Sequence, residues 1–202
     1  MIVSRHLLSL GVFVVGACLC RAAAAVEPAA TARRPFGPKP AVIPGTIEAE
    51  HFDLGGEGQA YHDRTDRNEG AAYREPTGVD IEKRADASNG HGIGWTRQGE
   101  WLVYAVEVAK PGTYSLEIPV ASQGPGGVFH VEFDGVDVTG PLQVPDTGGW
   151  DRLQVIGRDG ITLRAGAARM RLVMDADGAV PSGADIDCLR FSVAGDKAAA
   201  AD

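Results

Sequence analysis

From residue 101 onward, apolar and polar side chains alternate with a period of two, the signature of half-buried strands. Leu102, Tyr104, Val106 and Val108 fall on one face of a first run, with Trp101, Val103, Ala105 and Glu107 on the other. Tyr114, Leu116, Ile118 and Val120 alternate with Ser115, Glu117 and Pro119, and Phe129, Val131 and Phe133 with His130, Glu132 and Asp134. Met170, Leu172 and Met174 alternate with Arg169, Arg171 and Val173, and Leu189, Phe191 and Val193 close the series. Turn signals bound the runs: Lys110-Pro-Gly112, Gly124-Pro-Gly-Gly127, Asp134-Gly135, Asp159-Gly160, Ala165-Gly166 and Asp177-Gly178. Short strands at this spacing, with no helical stripe between them, predict an all-β, antiparallel β-sandwich. No internal repeat of 20 to 50 residues is visible.

Composition agrees: 27 Gly and 12 Pro in 202 residues favour turns over long helices. A formal charge of -8 leaves no basic face for nucleic acid and no polybasic patch for a membrane surface. Residues 1–26 have the three parts of a secretory signal: basic Arg5 and His6, an apolar run Leu7 to Cys20, and small residues after Arg21. That run is too short to span a bilayer comfortably, so a secreted or periplasmic protein is expected. The string Val15-Gly-Ala-Cys18 is a loose lipobox, and acylation of Cys18 is the alternative. Residues 27–41 are Pro- and Ala-rich and read as an extended linker, residues 42–194 as the domain, and residues 195–202 as a flexible tail. Processing leaves Cys188 alone, with no internal disulfide, beside Ile186, Leu189 and Phe191 on a buried strand.

Two features carry chemistry. Trp95 and Trp150 each follow a glycine in a turn-like string, where burial is difficult. A flat indole suits the C–H face of a sugar ring, yet the spacing alone leaves it equally open that both rings plug the sandwich. Glu48 and Glu50 lie two apart on an expected strand and so share a face, either solvated or relieved by a hard cation with oxygen ligands. Asp187 on the last strand is placed to join them. The five His are scattered and no Cys pair survives, which excludes a zinc site. There is no Gly-X-Ser-X-Gly elbow, no His-Glu-X-X-His and no Walker loop, and His62 with Asp63, or His91 near Asn89, read as turn residues. The chain is therefore not expected to be an enzyme.

Several strings occur in a fixed order: Ile47-Glu-Ala-Glu50, Gly78-Val-Asp-Ile-Glu82, Gly94-Trp95-Thr96, Gly99-Glu-Trp-Leu102, Asp134-Gly135, Pro145-Asp-Thr-Gly-Gly-Trp150 and Asp185-Ile-Asp187 with Phe191. In this ordered set the chain resembles a family 6 carbohydrate-binding module over nearly all of 43–193. The resemblance implies a jelly-roll sandwich without catalysis, a structural calcium, and a glycan site in loops at one end. It implies that Trp95 and Trp150 sandwich a sugar, that Glu82 and Asp185 contact its hydroxyls, and that Glu48, Glu50 and Asp187 hold the calcium. Position 185 is usually Asn in this family, and Asp accepts hydrogen bonds without donating as an amide does. A long stretch from Glu57 to Thr77 brings Tyr61, His62, Tyr73 and Arg74, expected to wall the site. The expected ligand is a polysaccharide of β-glucan, xylan or agar type, bound by a monomer, with a separate glycoside hydrolase as a candidate partner. The rival expectations are a small polysaccharide-degrading hydrolase and a calcium-stabilised adhesion domain.

Overall fold

The computed structural model describes residues 32–70, 73–74, 76–179 and 183–195. The signal segment, Cys18 and nearly all of the tail lie outside the described residues. Fourteen strands occur in chain order among those described: β1 (Ala41–Ile43), β2 (Gly45–Glu48), β3 (Tyr61–His62), β4 (Ile81–Lys83), β5 (His91–Ile93), β6 (Trp101–Val108), β7 (Gly112–Ser122), β8 (Val128–Phe133), β9 (Val136–Asp137), β10 (Leu142–Gln143), β11 (Gly149–Leu163), β12 (Gly166–Ala176), β13 (Asp185–Ile186) and β14 (Cys188–Val193). A single 3-10 turn, Ala49–His51, follows β2.

They form two sheets, the all-β jelly-roll sandwich expected. One sheet runs β1-β6-β12-β8-β10, with β3 beside β6 and β9 beside β8; the other runs β2-β14-β7-β13-β5-β4, with β11 beside β7. All pairings are antiparallel except β1 on β6. The alternating faces read from the sequence meet in the middle: Leu102, Tyr104, Val106, Val131 and Leu172 from one sheet, and Leu116, Ile118, Val120, Leu189 and Phe191 from the other, are all buried. Phe133 on β8 and Phe191 on β14 pack edge to face across the gap, ring centres 5.9 Å apart. Asp134 and Gly135, with φ of 50° and 82°, make the two-residue hairpin turn that the Asp-Gly pair predicts.

Three expectations need correction. Asp159-Gly160 is not a turn: β11 continues through it as one long edge strand, its register on β7 slipping near Gly149 to Gln154 and again near Arg158 to Ile161. Most of its side chains are exposed, so the period-two signal is missing. At Gly157 a Cβ would lie 1.9 Å from the Leu116 carbonyl oxygen, so only glycine permits this pairing. His62 and His91 lie on β3 and β5 rather than in turns.

The stretch 33–36, read as linker, is part of the domain. Arg33 forms an ion pair with Asp53, Arg34 and Leu54 exchange backbone hydrogen bonds of 2.9 and 2.8 Å, and Phe36 stacks on His51 at 4.3 Å. Polar and aromatic partners far along the chain, invisible to composition, hold this segment. Nor do Tyr61, Tyr73 and Arg74 wall a ligand site. Tyr61 is buried in the core, Tyr73 stacks on His91, and the Arg74 guanidinium sits 3.6 Å from the Phe52 ring centre and donates to the carbonyls of Glu50, Phe52 and Asp53. Trp101 faces outward on the first sheet, under the Arg171 guanidinium at 4.4 Å.

A second buried group sits between β5 and β6. Glu100 accepts hydrogen bonds from the Arg64 and Arg97 amides at 3.2 and 2.7 Å, and with Asp63 and Asp80 it lines a cavity of about 10 Å³. Burial, reinforced by Asp63, pushes the Glu100 carboxyl up to about 7; burial pushes Asp80 up to about 6.

Two stability predictions follow from these buried acids. Arg33→Ala leaves Asp53, only 2% exposed, without its counter-charge and is expected to lower urea stability by about 3 kcal/mol, with Asp53→Asn losing less because it removes that charge. For Glu100 the folded pKa lies above the unfolded one, so its stabilisation is complete below the unfolded value and is lost as pH rises toward 7 and beyond. The melting temperature is expected to fall between pH 5 and 8 by the equivalent of about 2–3 kcal/mol, and Glu100→Gln to flatten that slope.

Candidate functional site

At one end of the second sheet, β4, β5, β13, β7 and β11 lie side by side. The register sets Ile81 against Ile93, Ile93 against Ile186, and Ile186 against Val120, a row of buried residues facing the core. Their neighbours take the other face, Glu82 opposite Gly92 and Asp185 opposite Ala121, while Gly149, paired with buried Ser122, precedes Trp150. Gly92 and Gly94 make the floor. A Cβ at Gly92 would lie 2.9 Å from the Arg84 Cδ, and one at Gly94 would lie 2.8 Å from the Asp185 Oδ1.

Arg84, two residues after Glu82 and so on its face, fills the centre of this floor. Its Nη1 donates to Glu82 Oε1 at 2.8 Å and Asp185 Oδ2 at 2.7 Å; its Nη2 donates to Asp86 Oδ2 at 2.9 Å and the Trp150 carbonyl at 2.6 Å. Its Nε donates to Asp86 Oδ1 at 3.2 Å. A guanidinium has five N–H groups, and all five are engaged. Burial opposes its charge, but Asp86, Glu82 and Asp185 outweigh it and raise its pKa. Asp185, buried and beside Glu82, is pushed up to about 7, with Arg84 pulling the other way. A cavity of about 340 Å³ opens here, walled by Glu82, Lys83, Arg84, Ala85, Asp86, Trp150 and Asp151.

Trp150 is positioned by the turn before it. Asp146 accepts from the Gly124 and Gly148 amides, which lower its pKa, and Thr147 Oγ1 accepts from the Ser122 amide at 3.0 Å. These bonds tie the Pro145-Asp-Thr-Gly-Gly string to the end of β7. Trp95, half-buried, has a φ of 50°, a left-handed backbone that a bulky side chain adopts only under constraint. The constraint comes from both sides: Gly94 N donates to the Asp80 carbonyl at 3.0 Å, and Thr96 Oγ1 donates to the Ala184 carbonyl at 3.0 Å and accepts from its amide at 2.9 Å. Trp95 is not part of the cavity wall around Trp150. Their strands are separated by three inter-strand steps, about 14 Å at ~4.8 Å each.

Of the four expected glycan contacts, then, Glu82, Asp185 and Trp150 gather around Arg84, while Trp95 stands further along the same end. The sequence offers Lys83 and Arg84 only as cations that could neutralise Glu48 and Glu50, whereas the structure sets Arg84 on Glu82, Asp185 and Asp86. Its position two after Glu82 was the available signal, but nothing in the sequence sets position 84 against position 185.

The acidic cluster lies next door, where the last strand breaks at Asp187 between β13 and β14. The Asp187 carbonyl accepts from the Ala49 amide, and its amide donates to Pro119. Cys188 pairs in register with Glu48, and one ligand atom each of Glu48, Asp187 and Cys188 lie within 4.8 Å of one another. Glu48 and Glu50 do not share a strand face as expected, because β2 ends at Glu48 and Glu50 belongs to the 3-10 turn. Glu50 is fully buried; its Oε1 accepts from Asn89 Nδ2 at 2.5 Å, and its Oε2 has no hydrogen-bond partner among the described residues. Ser88 donates through both its amide and its hydroxyl to Asp187 Oδ1, each at 2.9 Å, and through its hydroxyl to Glu48. Burial, with Glu50 and Asp187 adding to it, raises the Glu48 pKa. Arg190 Nη2 lies 3.3 Å from Asp187 Oδ2 and relieves part of this charge; the remaining carboxylate oxygens, one of them orphaned on Glu50, fit a hard cation with oxygen ligands. Burial pushes the Cys188 thiol up to about 12, so it stays protonated and is a poor ligand.

Comparison with known proteins places this geometry. The family model for the carbohydrate-binding module, family 6, matches residues 69–193. The chain is 31% identical over 87 residues to the clotting factor G alpha subunit of Tachypleus tridentatus, a match that covers 42% of this chain and 13% of that subunit. Among solved structures it is similar to the module of Cellvibrio mixtus lichenase 5A in complex with cellotriose, at 25% identity and a TM-score of 0.54 over 74% of this chain and 96% of that one. It also shares its fold with a β-1,3-glucan-binding family 6 module from Bacillus halodurans, at 23% identity and a TM-score of 0.57 over 77% of this chain and all of that one. The jelly-roll sandwich, the ordered motifs and the matched residues 69–193 together show that this chain belongs to family 6 of the carbohydrate-binding modules, a non-catalytic binder of carbohydrate.

Proposed function

We propose that the chain is an exported protein that binds uncharged polysaccharide, β-glucan first and xylan or agar-type chains next, by stacking on Trp150 and Trp95. The observation that carries this reading is the indole of Trp150 at the edge of a 340 Å³ cavity whose polar wall is mainly carboxylate. An aromatic plane takes the C–H face of a pyranose, and carboxylate oxygens accept from its hydroxyls. Because the N–H groups of Arg84 are all engaged, the groups left for a ligand on Glu82 and Asp86 are acceptors, which suits hydroxyl donors, with the Lys83 ammonium as a donor beside them. The strained backbone at Trp95 supports a binding role for that ring, since such strain concentrates at functional positions. The cellotriose bound by the Cellvibrio mixtus module supports β-glucan as the first ligand to try. A few stacking and hydrogen-bond contributions less the cost of immobilisation give a Kd of roughly 10 µM to 1 mM.

Calcium is the proposed cation for Glu48, Glu50 and Asp187, with a structural role. Its hard oxygen preference and flexible geometry match this set, and it would neutralise buried Glu50 and Asp187 together with half-buried Glu48.

Affinity electrophoresis against laminarin, xylan and agarose tests the reading. At least one polymer is expected to retard the wild type, with Trp150→Ala and Trp95→Ala each abolishing retardation while circular dichroism stays unchanged. Retardation that survives Trp150→Ala overturns it. EDTA is expected to lower the melting temperature and added calcium to restore it; an unchanged melting temperature overturns the calcium assignment.

A further inference from the structure

Resting on that reading of the site, we infer that Arg84 is its positioning residue and forms one functional pair with Asp185. Three observations bear on this. The Arg84 side chain is 4% exposed and its five N–H groups are all engaged, so it offers a ligand no donor. Of the groups it holds, Glu82, Asp86 and Trp150 stand in the cavity wall, and Asp185 is buried beside them. Asp185, its side chain 6% exposed, lies close to Glu82, so these two acids need a cation between them.

The bond arithmetic shows what the pair does. Asp185 Oδ2 accepts from Arg84, while Oδ1 lies against the Cα of Gly94, next to Trp95. The guanidinium thus fixes the buried Asp185 carboxylate, with its other oxygen turned toward Gly94. An amide at 185 would carry no charge and would need no guanidinium. Lysine cannot substitute for Arg84, because three donors on a point charge cannot reach three carboxylates and a carbonyl at once, as the five-donor fork does. Arg84 also ties β4 to β13 and to the start of β11, fixing Trp150 relative to Glu82.

The pairing is tested by a double-mutant cycle on the full chain, read by affinity electrophoresis with the laminarin, xylan and agarose panel and by the melting temperature. Arg84→Met keeps the length of the side chain but leaves Asp185 and Glu82 without their cation, and is expected to weaken retardation about tenfold or more. Asp185→Asn alone is expected to weaken retardation less than R84M does, since it leaves no buried charge without its partner. The double variant R84M/D185N is expected to recover to within about threefold of D185N, and its melting temperature to rise above that of R84M. Arg84→Lys is expected to behave like R84M. A role for Arg84 in packing alone predicts no recovery on adding D185N, and that result, or wild-type binding by R84K, overturns the inference. Loss of wild-type retardation on every polymer overturns the proposed function along with it, whereas retardation of the wild type without rescue overturns only the pairing.

Discussion

The last strand of this sandwich carries two buried acids two residues apart, Asp185 and Asp187, and the organisation of both candidate sites follows from the need to neutralise them. Neither is placed where water can do so. Asp185 lies against Glu82, and Asp187 against Glu48, so each is one of a pair of like charges at a sheet end. The fold answers the first with Arg84, whose donors are wholly committed to this corner. It answers the second with hydrogen bonds from Ser88 and with a set of oxygens, one of them unpartnered, suited to a hard cation.

One loop serves both places. Residues 84–90 contribute Arg84 and Asp86 to the cavity beside Trp150, and Ser88 and Asn89 to the acids Glu48, Asp187 and Glu50. The segment begins where β4 ends and returns into β5, and Arg84 N and Gly90 O close it with a 2.9 Å hydrogen bond. A short loop tied at both ends, with charged partners on either side, holds its side chains far better than an exposed loop would. The glycines of β5 complete the arrangement by removing the side chains that would occupy the floor. Binding residues therefore stand on strand ends and braced turns, as a weak ligand with little binding energy to spare for ordering requires.

Much of the sandwich was legible because its central strands alternate in water and core. Strands β6, β7, β8, β12 and β14 announce themselves by period two, and each is buried on one face at least. Strand β11 did not, since an edge strand exposed on most of its length has no face to keep apolar, and its Asp-Gly pair imitates a turn. The docking of Arg33 to Phe36 was hidden for a related reason: its partners Asp53, Leu54 and His51 are specified by tertiary placement and leave no periodic trace.

The same division runs through the sites. The sequence by itself determined the fold class, the place of the two indoles just after glycines, and the carboxylates on offer to a cation, because residue type and local spacing decide strand faces and turns. It could not show that Arg84 stands between Glu82 and Asp185, that Glu50 leaves the strand for a 3-10 turn, or that Cys188 comes beside Glu48. Those facts depend on pairing between segments up to about a hundred residues apart. Register between distant strands is set by the packing of the whole core, so only the tertiary structure decides which charges must face each other.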